Sequence, residues 1–385
     1  MSITVNRRQF LNVALFSGAV VTLPVATTTF QRKKLKPTLD GSWWRIGPPP
    51  PVSKEIPAET PKSKEDIQRI CEAFGMSPDD CLKYSQKEVG KVSKFEPVDH
   101  HIFKANDGNW HLWGCVRGTG LGRILYHWKA KNLTDTPWDL TGEIIRCDHS
   151  AGESIDDWRG QEWIQSPFIV KDKSRYYMFY GGHSTGRNVS GAPAGGMTKD
   201  MFKSESQICV MTSDDGLKWT RHLFKDGFSR LFTGPGEARD PCVIKINDLW
   251  HLYYAGYENG DQPNQGGFFV RTSKDLLNWS PYKLVLRDPT FGSNSWAHEC
   301  PHVVYRDGYY YLFRTENYYQ AKTHVYRSED PTDFGKDAAA AQEKYVGLIA
   351  CAAPEIYEIE GEEYVSSNHD PIGGTMMCRM KWIPE

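Results

Sequence analysis

The chain has 385 residues, 39% apolar and 13% aromatic, with 24% charged residues and a formal net charge of -2. That length allows one large domain or two ordinary ones, and the apolar share is enough for a core, which excludes a disordered chain. The balanced charge supplies no basic field to hold a phosphate backbone, which argues against a nucleic-acid partner.

At the N-terminus, "NRRQFLNVALFSGAVVTLPVATTTF" sets Arg7 and Arg8 before Phe10, Leu11 and a run of mostly apolar residues. The pattern predicts a twin-arginine-type signal peptide over residues 1–30. The run is too short for the roughly 20 residues a membrane anchor needs, and Asn12, Ser17, Thr22 and Pro24 interrupt it. A periplasmic or secreted protein with no stable membrane span after export is therefore expected. An odd number of cysteines, nine, leaves at least one thiol unpaired in an oxidising compartment. Cys71 and Cys81 are placed to bridge two adjacent helices, whereas Cys242, Cys300 and Cys351 lie on strand-like segments and read as packing residues. The cysteine and histidine spacings suggest no zinc site.

Residues 31–90 read as a Pro-rich strap followed by a helical hairpin. The prolines of "GSWWRIGPPPPVSKEIPAETP" cannot sustain a helix or a central strand, so the strap is expected to wrap the surface. Ser63 and Asp66 form a capping box before Ile67, Ile70, Cys71 and Phe74, with Gly75 closing that helix. Ser77-Pro78-Asp79-Asp80 starts the second helix, with proline at its first position.

From residue 91 the pattern changes to short strands, and a repeat appears: "VDHHIFKANDGNWHLWG", "IQSPFIVKDKSRYYMFYGG", "RDPCVIKINDLWHLYYAG", "ECPHVVYRDGYYYLFRT" and "AAPEIYEIEGEEYVSSN". Each copy is an apolar strand, a polar turn and an aromatic strand. A later turn element ends at Trp219, Trp279 and Phe334 in three copies, with "NLTDTPW" as its counterpart in the first. Strand pairs recurring in this way predict an all-β five-bladed β-propeller over residues 91–385, with "MMCRMKWIPE" supplying a closing strand.

In a propeller the first strand of every blade lines the central channel. The leading positions, read as Asp99, Gln165, Asp240, Glu299 and Ala352, should therefore meet at one funnel. Three carboxylates crowded together repel, so each must raise its pKa, find a cation or bind a metal. Glycoside hydrolysis gives such crowding a purpose, because it needs one carboxylic acid to protonate the leaving oxygen and one carboxylate as base or nucleophile. Arg239 beside Asp240 is expected to keep that carboxylate ionised.

Arg239-Asp240-Pro241 and Glu299-Cys300 resemble the third- and fourth-blade motifs of the five-bladed propeller glycoside hydrolases, the superfamily holding families 43, 62, 32, 68 and 117, over roughly residues 92–385. Blade one reads Val98-Asp99-His100-His101, without the Asn-Asp-Pro of family 32 or the Asp-Pro of family 43. The resemblance implies that Glu299 is the general acid, Asp99 the base or nucleophile, and Asp240 the residue that tunes the acid. The hairpin and His298-Glu299 are similar to the anhydrogalactosidases of family 117, which implies a homodimer contact through the hairpin and a role for His298.

The expected function is thus an exported glycoside hydrolase acting on a plant or algal poly- or oligosaccharide. The alternatives are a non-catalytic carbohydrate-binding propeller, or a lyase or transglycosylase on the same scaffold. Trp163 and Trp296 are candidates for stacking a sugar ring, with Arg239, His298, Gln165, His100 and Arg117 as further substrate contacts. Glu162 and Glu237 read either as additional rim acids or as exposed loop acids, the second reading being favoured for Glu237. No organic cofactor is required; a structural calcium in the central channel, with His369 as its ligand, is the candidate metal. Residues 181–197, "GGHSTGRNVSGAPAGGM", lack the spacing of a phosphate cradle and read as a loop over the pocket.

Overall fold

A computed structural model describes residues 32–73, 76–154, 161–188, 204–258 and 265–385. The expected signal peptide, Gly75 and most of the glycine-rich loop lie outside the described residues. Among the described residues no helix is long and apolar enough to cross a membrane.

Lys33–Glu385 builds five sheets, antiparallel but for one short strand, one sheet for each sequence repeat. Blade one runs Glu96–Lys104, Trp110–Thr119, Gly122–Ala130 and Asp139–Ile145, and the short strand Glu162–Trp163 joins it in parallel. Blade two starts at Gln165–Asp172, blade three at Arg239–Ile246, blade four at Glu299–Arg306 and blade five at Glu355–Ile359. Each strand alternates its side chains between two faces, and both faces meet a neighbouring blade, so the apolar residues are buried on both sides. Trp128, Tyr180, Tyr253 and Phe269 are among the large side chains buried completely.

The turns before the fourth strands explain the recurrent aspartates. Asp215 Oδ1 accepts from the amides of Leu217 and Lys218 at 2.7 and 2.9 Å, and Asp275 Oδ1 from Leu277 and Asn278 at 3.0 and 2.8 Å. An aspartate caps its own turn amides and pins the aromatic that follows against the blade.

Blade five is completed from the other end of the chain. Thr375–Pro384 is its third strand, and Leu35–Leu39 pairs with it as the outer strand while Trp44–Gly47 pairs with the same strand further along. The first part of the segment read as a strap is therefore in the propeller, because Leu35–Leu39 and Trp44–Gly47 pair into blade five. Ile46 is fully buried, and Trp128 Nε1 donates to the Pro48 carbonyl at 2.9 Å. Prolines at 48–51 stop the strand just past this point, where a further ladder would lack donors.

The ring is also sewn between blades one and five. His100 Nδ1 meets Asn368 Oδ1 at 2.5 Å and its Nε2 meets Ser366 Oγ at 2.6 Å; His101 Nδ1 lies 2.7 Å from Glu355 Oε2. Ser63 and Asp66 exchange hydrogen bonds of 2.9 and 3.1 Å, the hairpin helices are Lys64–Ala73 and Pro78–Glu88, and a Cys71–Cys81 disulfide joins them.

Candidate active site

The first strands share a backbone feature that the repeat alone does not show. Asp99, Ser166, Asp240, Cys300 and Ala353 all have positive φ, between 43° and 57°. A non-glycine residue in the left-handed region costs about 1–2 kcal/mol, and here it recurs in every blade. In blades one to four the strand pairing slips at this position, between Val98 and His100, Gln165 and Phe168, Arg239 and Cys242, and Glu299 and His302. Such a bulge takes one side chain out of the alternation and turns it toward the axis. The equivalent residues in blades two, four and five are therefore Ser166, Cys300 and Ala353, one later than Gln165, Glu299 and Ala352.

Asp99 and Asp240 are drawn together by this geometry, at 9% and 6% exposure. Ser166 Oγ lies 3.0 Å from Asp99 Oδ2 and 2.7 Å from Asp240 Oδ1, bridging the two carboxylates. Tyr318 donates its hydroxyl to Asp99 Oδ1, the Cys300 thiol lies 3.4 Å from the same oxygen, and the Cys300 amide donates to Asp240 Oδ2 at 3.0 Å. Glu299, one residue before the axis position, is reached through Arg239. That guanidinium is 3.4 Å from Glu299 Oε1, 3.5 Å from Asp240 Oδ2 and 3.1 Å from Glu237 Oε2, and it donates to the Ser295 carbonyl at 2.8 Å. One buried cation thus serves three acids.

One cation is not enough to hold them all ionised. Burial pushes Glu299 up to about 8, and the charges of Asp240 and Asp99 add to the rise against the pull of Arg239. Burial likewise raises Asp240, to about 6, with Asp99 adding to it; Arg239, the Ser166 hydroxyl and the Cys300 amide oppose the rise without cancelling it. Arg239 limits the rise of Asp240 but does not bring it back to the ordinary carboxylate range: the absence of water outweighs the neighbouring cation. Burial also keeps the Cys300 thiol and Tyr318 phenol well above their usual ranges, so both are neutral donors.

The sequence profile described as "Glycosyl hydrolases family 43" matches residues 153–343, a span that holds Asp240 and Glu299. The chain is a five-bladed propeller glycoside hydrolase. Solved structures similar to it include a thermostable family-43 glycoside hydrolase, at 16% identity over 76% of this chain and 92% of that one, TM-score 0.47. An exo-1,5-alpha-L-arabinanase from a bovine ruminal metagenomic library shares 18% identity over 74% of this chain and 92% of that one, TM-score 0.49. A family 32 beta-fructofuranosidase of Bombyx mori shares 15% over 76% and 64%, TM-score 0.49. No curated protein sequence matches the chain.

The hydrolase places its other candidate residues unevenly. Trp296 is exposed, on the short turn Ser295–Ala297 whose first carbonyl holds Arg239. Trp163 and Arg117 line a cavity of about 780 Å³, whereas the space on the axis beneath Asp99 and Asp240 is about 30 Å³. The axial space is too small for a sugar, so a substrate must bind above it. Gln165 is buried and accepts from Arg123. Glu162 and Glu237 are paired with Arg146 and Arg239.

His298 and His100 do not offer themselves to a substrate. His298 is completely buried, its Nδ1 meets the Asn294 carbonyl at 3.2 Å, and its Nε2 accepts from the Asp288 amide at 3.3 Å. Burial and the Arg314 charge hold it well below the usual histidine range, hence neutral. Both ring nitrogens of His100 are occupied in the seam with blade five.

His369 bonds Ser367 Oγ at 2.8 Å, packs on Trp43 and belongs to no cluster of three or more potential ligands among the described residues. The cluster that does form is Asp99, Asp240 and Cys300, with ligand atoms within 4.8 Å. Calcium takes about six to eight oxygen ligands. A neutral thiol and two carboxylates bridged by a serine do not fit it.

Ser166, Cys300 and Tyr318 are the site residues that sequence analysis did not assign. Prolines follow Ser166, Asp240, Cys300 and Ala353 alike. Aligning the repeats on those prolines would have revealed the first two as axis residues, whereas Tyr318 carries no such mark.

Proposed function

We propose that the enzyme hydrolyses a glycosidic bond of a plant or algal poly- or oligosaccharide at the mouth of the axis. Glu299 acts as general acid, Asp99 as base or nucleophile, and Asp240 tunes the acid and offsets positive charge on the sugar ring. The observation that carries this reading is the contrast between two linked acids. With a pKa of about 8, Glu299 holds its proton at neutral pH, while Asp240, at about 6, has lost its own. Titratable neighbours whose environments push them apart are how one site supplies an acid and an anion together. Asp99 is oriented by Tyr318, Ser166 and Cys300 and can take a proton from an attacking water or attack the sugar itself.

Wild-type protein incubated with a broad glycan panel is expected to release reducing sugar. Glu299→Gln and Asp99→Asn should each lower the rate by about 10²–10⁴-fold while circular dichroism shows the fold intact. Full activity in both variants overturns the assignment. Binding without release favours a lectin, and an unsaturated or transferred product favours a lyase or transglycosylase. Export through the twin-arginine route to the periplasm or the medium belongs to the same proposal, supported by Arg7 and Arg8 in their sequence context. Replacing both arginines with lysine is expected to hold the protein in the cytoplasm, and undiminished export would refute that part.

A further inference from the structure

We infer that the cavity of about 780 Å³ beside the axis is a subsite for an anionic sugar, one bearing a sulfate ester or a carboxylate, with Arg123 as the residue that recognises the charge. This rests on the glycosidase reading above. A cavity of that size falls within the roughly 300–1,000 Å³ of small-ligand sites.

The charges on its wall do not balance. Lys87, Lys91, Lys94, Arg117 and Arg123 face Glu59, Glu88 and Glu96, five cations against three carboxylates. Each carboxylate is already engaged: Glu96 with Arg117 at 2.6 Å, Glu88 with Lys91 at 3.2 Å, and Glu59 with Lys62 at 3.6 Å. Arg117, the arginine singled out from sequence, is therefore neutralised in place, and its remaining contact is Tyr319 Oη at 3.0 Å.

Arg123 is the exception. It is half-buried, its guanidinium donates to Gln165 Oε1 and lies 4.9 Å from the Trp163 ring centre, and among the described residues it has no carboxylate partner. A partly desolvated guanidinium with only a neutral acceptor and an indole face retains unspent donors in a planar fork. Sulfate and carboxylate oxygens match that fork, and the indole holds its plane.

The site also lies beside the chemistry. Gln165 precedes Ser166, which bridges Asp99 and Asp240, and Tyr319 follows Tyr318, which donates to Asp99. An anion seated on Arg123 would fix one sugar of a chain whose neighbour lies over the acids.

Titration calorimetry on the Glu299→Gln protein tests this without turnover. The probes are a sulfated galacto-oligosaccharide with its desulfated form, and a glucuronate-bearing xylo-oligosaccharide with its carboxyl-reduced form. In at least one pair the anionic member should bind about tenfold more tightly or better. Arg123→Gln should erase that preference, Arg123→Lys should keep part of it, and raising salt to about 0.5 M should weaken only the anionic member. The pair that shows the preference distinguishes sulfate from carboxylate. Equal affinity within both pairs, a preference that survives Arg123→Gln, or no binding in any pair overturns the inference. Hydrolysis by wild-type protein is scored separately, so loss of the glycosidase reading and loss of the anion subsite are distinguishable.

Discussion

Two groups of ionisable side chains share the propeller axis, and the fold treats them in opposite ways. At the mouth, Glu237, Asp240 and Glu299 share one buried arginine with Asp99 close by, and burial raises Glu299 and Asp240 well above ordinary carboxylates. At the seam of blades one and five, Glu355 is equally buried, and burial by itself would raise it too. His101, His100 and His302 around it reverse the sign and leave it lowered. Burial therefore does not decide a carboxylate's character on its own. The ratio of nearby cationic or donor groups to acids does, and only the mouth leaves that ratio short.

The largest effect should come from removing the crowding at the mouth. Asp240→Asn is expected to lower kcat/KM by about 10²–10³-fold, since it deletes a charge placed at the reacting centre. Because Asp240 raises Glu299, the alkaline limb of the pH–rate profile should also move to lower pH than in the wild-type protein. An unmoved limb would show that Glu299 is not the acid that limb reports.

The seam should answer in stability instead. Glu355→Gln leaves His101 without its carboxylate partner at 2.7 Å and should cost about 1–3 kcal/mol in denaturant titration, with the alkaline limb unchanged. The two acids also link stability to pH with opposite signs. Glu299 is raised in the folded state, so its contribution is complete below its ordinary value of 4.5 and fades as pH rises toward about 8. Glu355 is lowered, so its contribution is complete above 4.5 and fades as pH falls through its folded value. Glu299→Gln should flatten the first slope and Glu355→Gln the second. Exchange of these effects between the two variants would abolish the distinction.

The recurrence of apolar strand, turn and aromatic strand was enough to specify blades, their number and the acids near the axis. Those features depend on side-chain period and turn chemistry, which are local and visible along the chain. The capping box at Ser63 and Asp66 was legible for the same reason. The strand register at the axis was marked only by the prolines after Ser166, Asp240, Cys300 and Ala353, and the left-handed residue at each strand entry that shifts the pairing shows itself in the assembled sheet. Tertiary structure alone brought Tyr318 onto Asp99 across 219 positions of sequence, placed Leu35–Leu39 on the outer edge of blade five, and neutralised Arg117 while leaving Arg123 without an acid among the described residues. Contacts and charge balance of this kind belong to the closed ring, in which distant segments meet; residue order alone does not contain them.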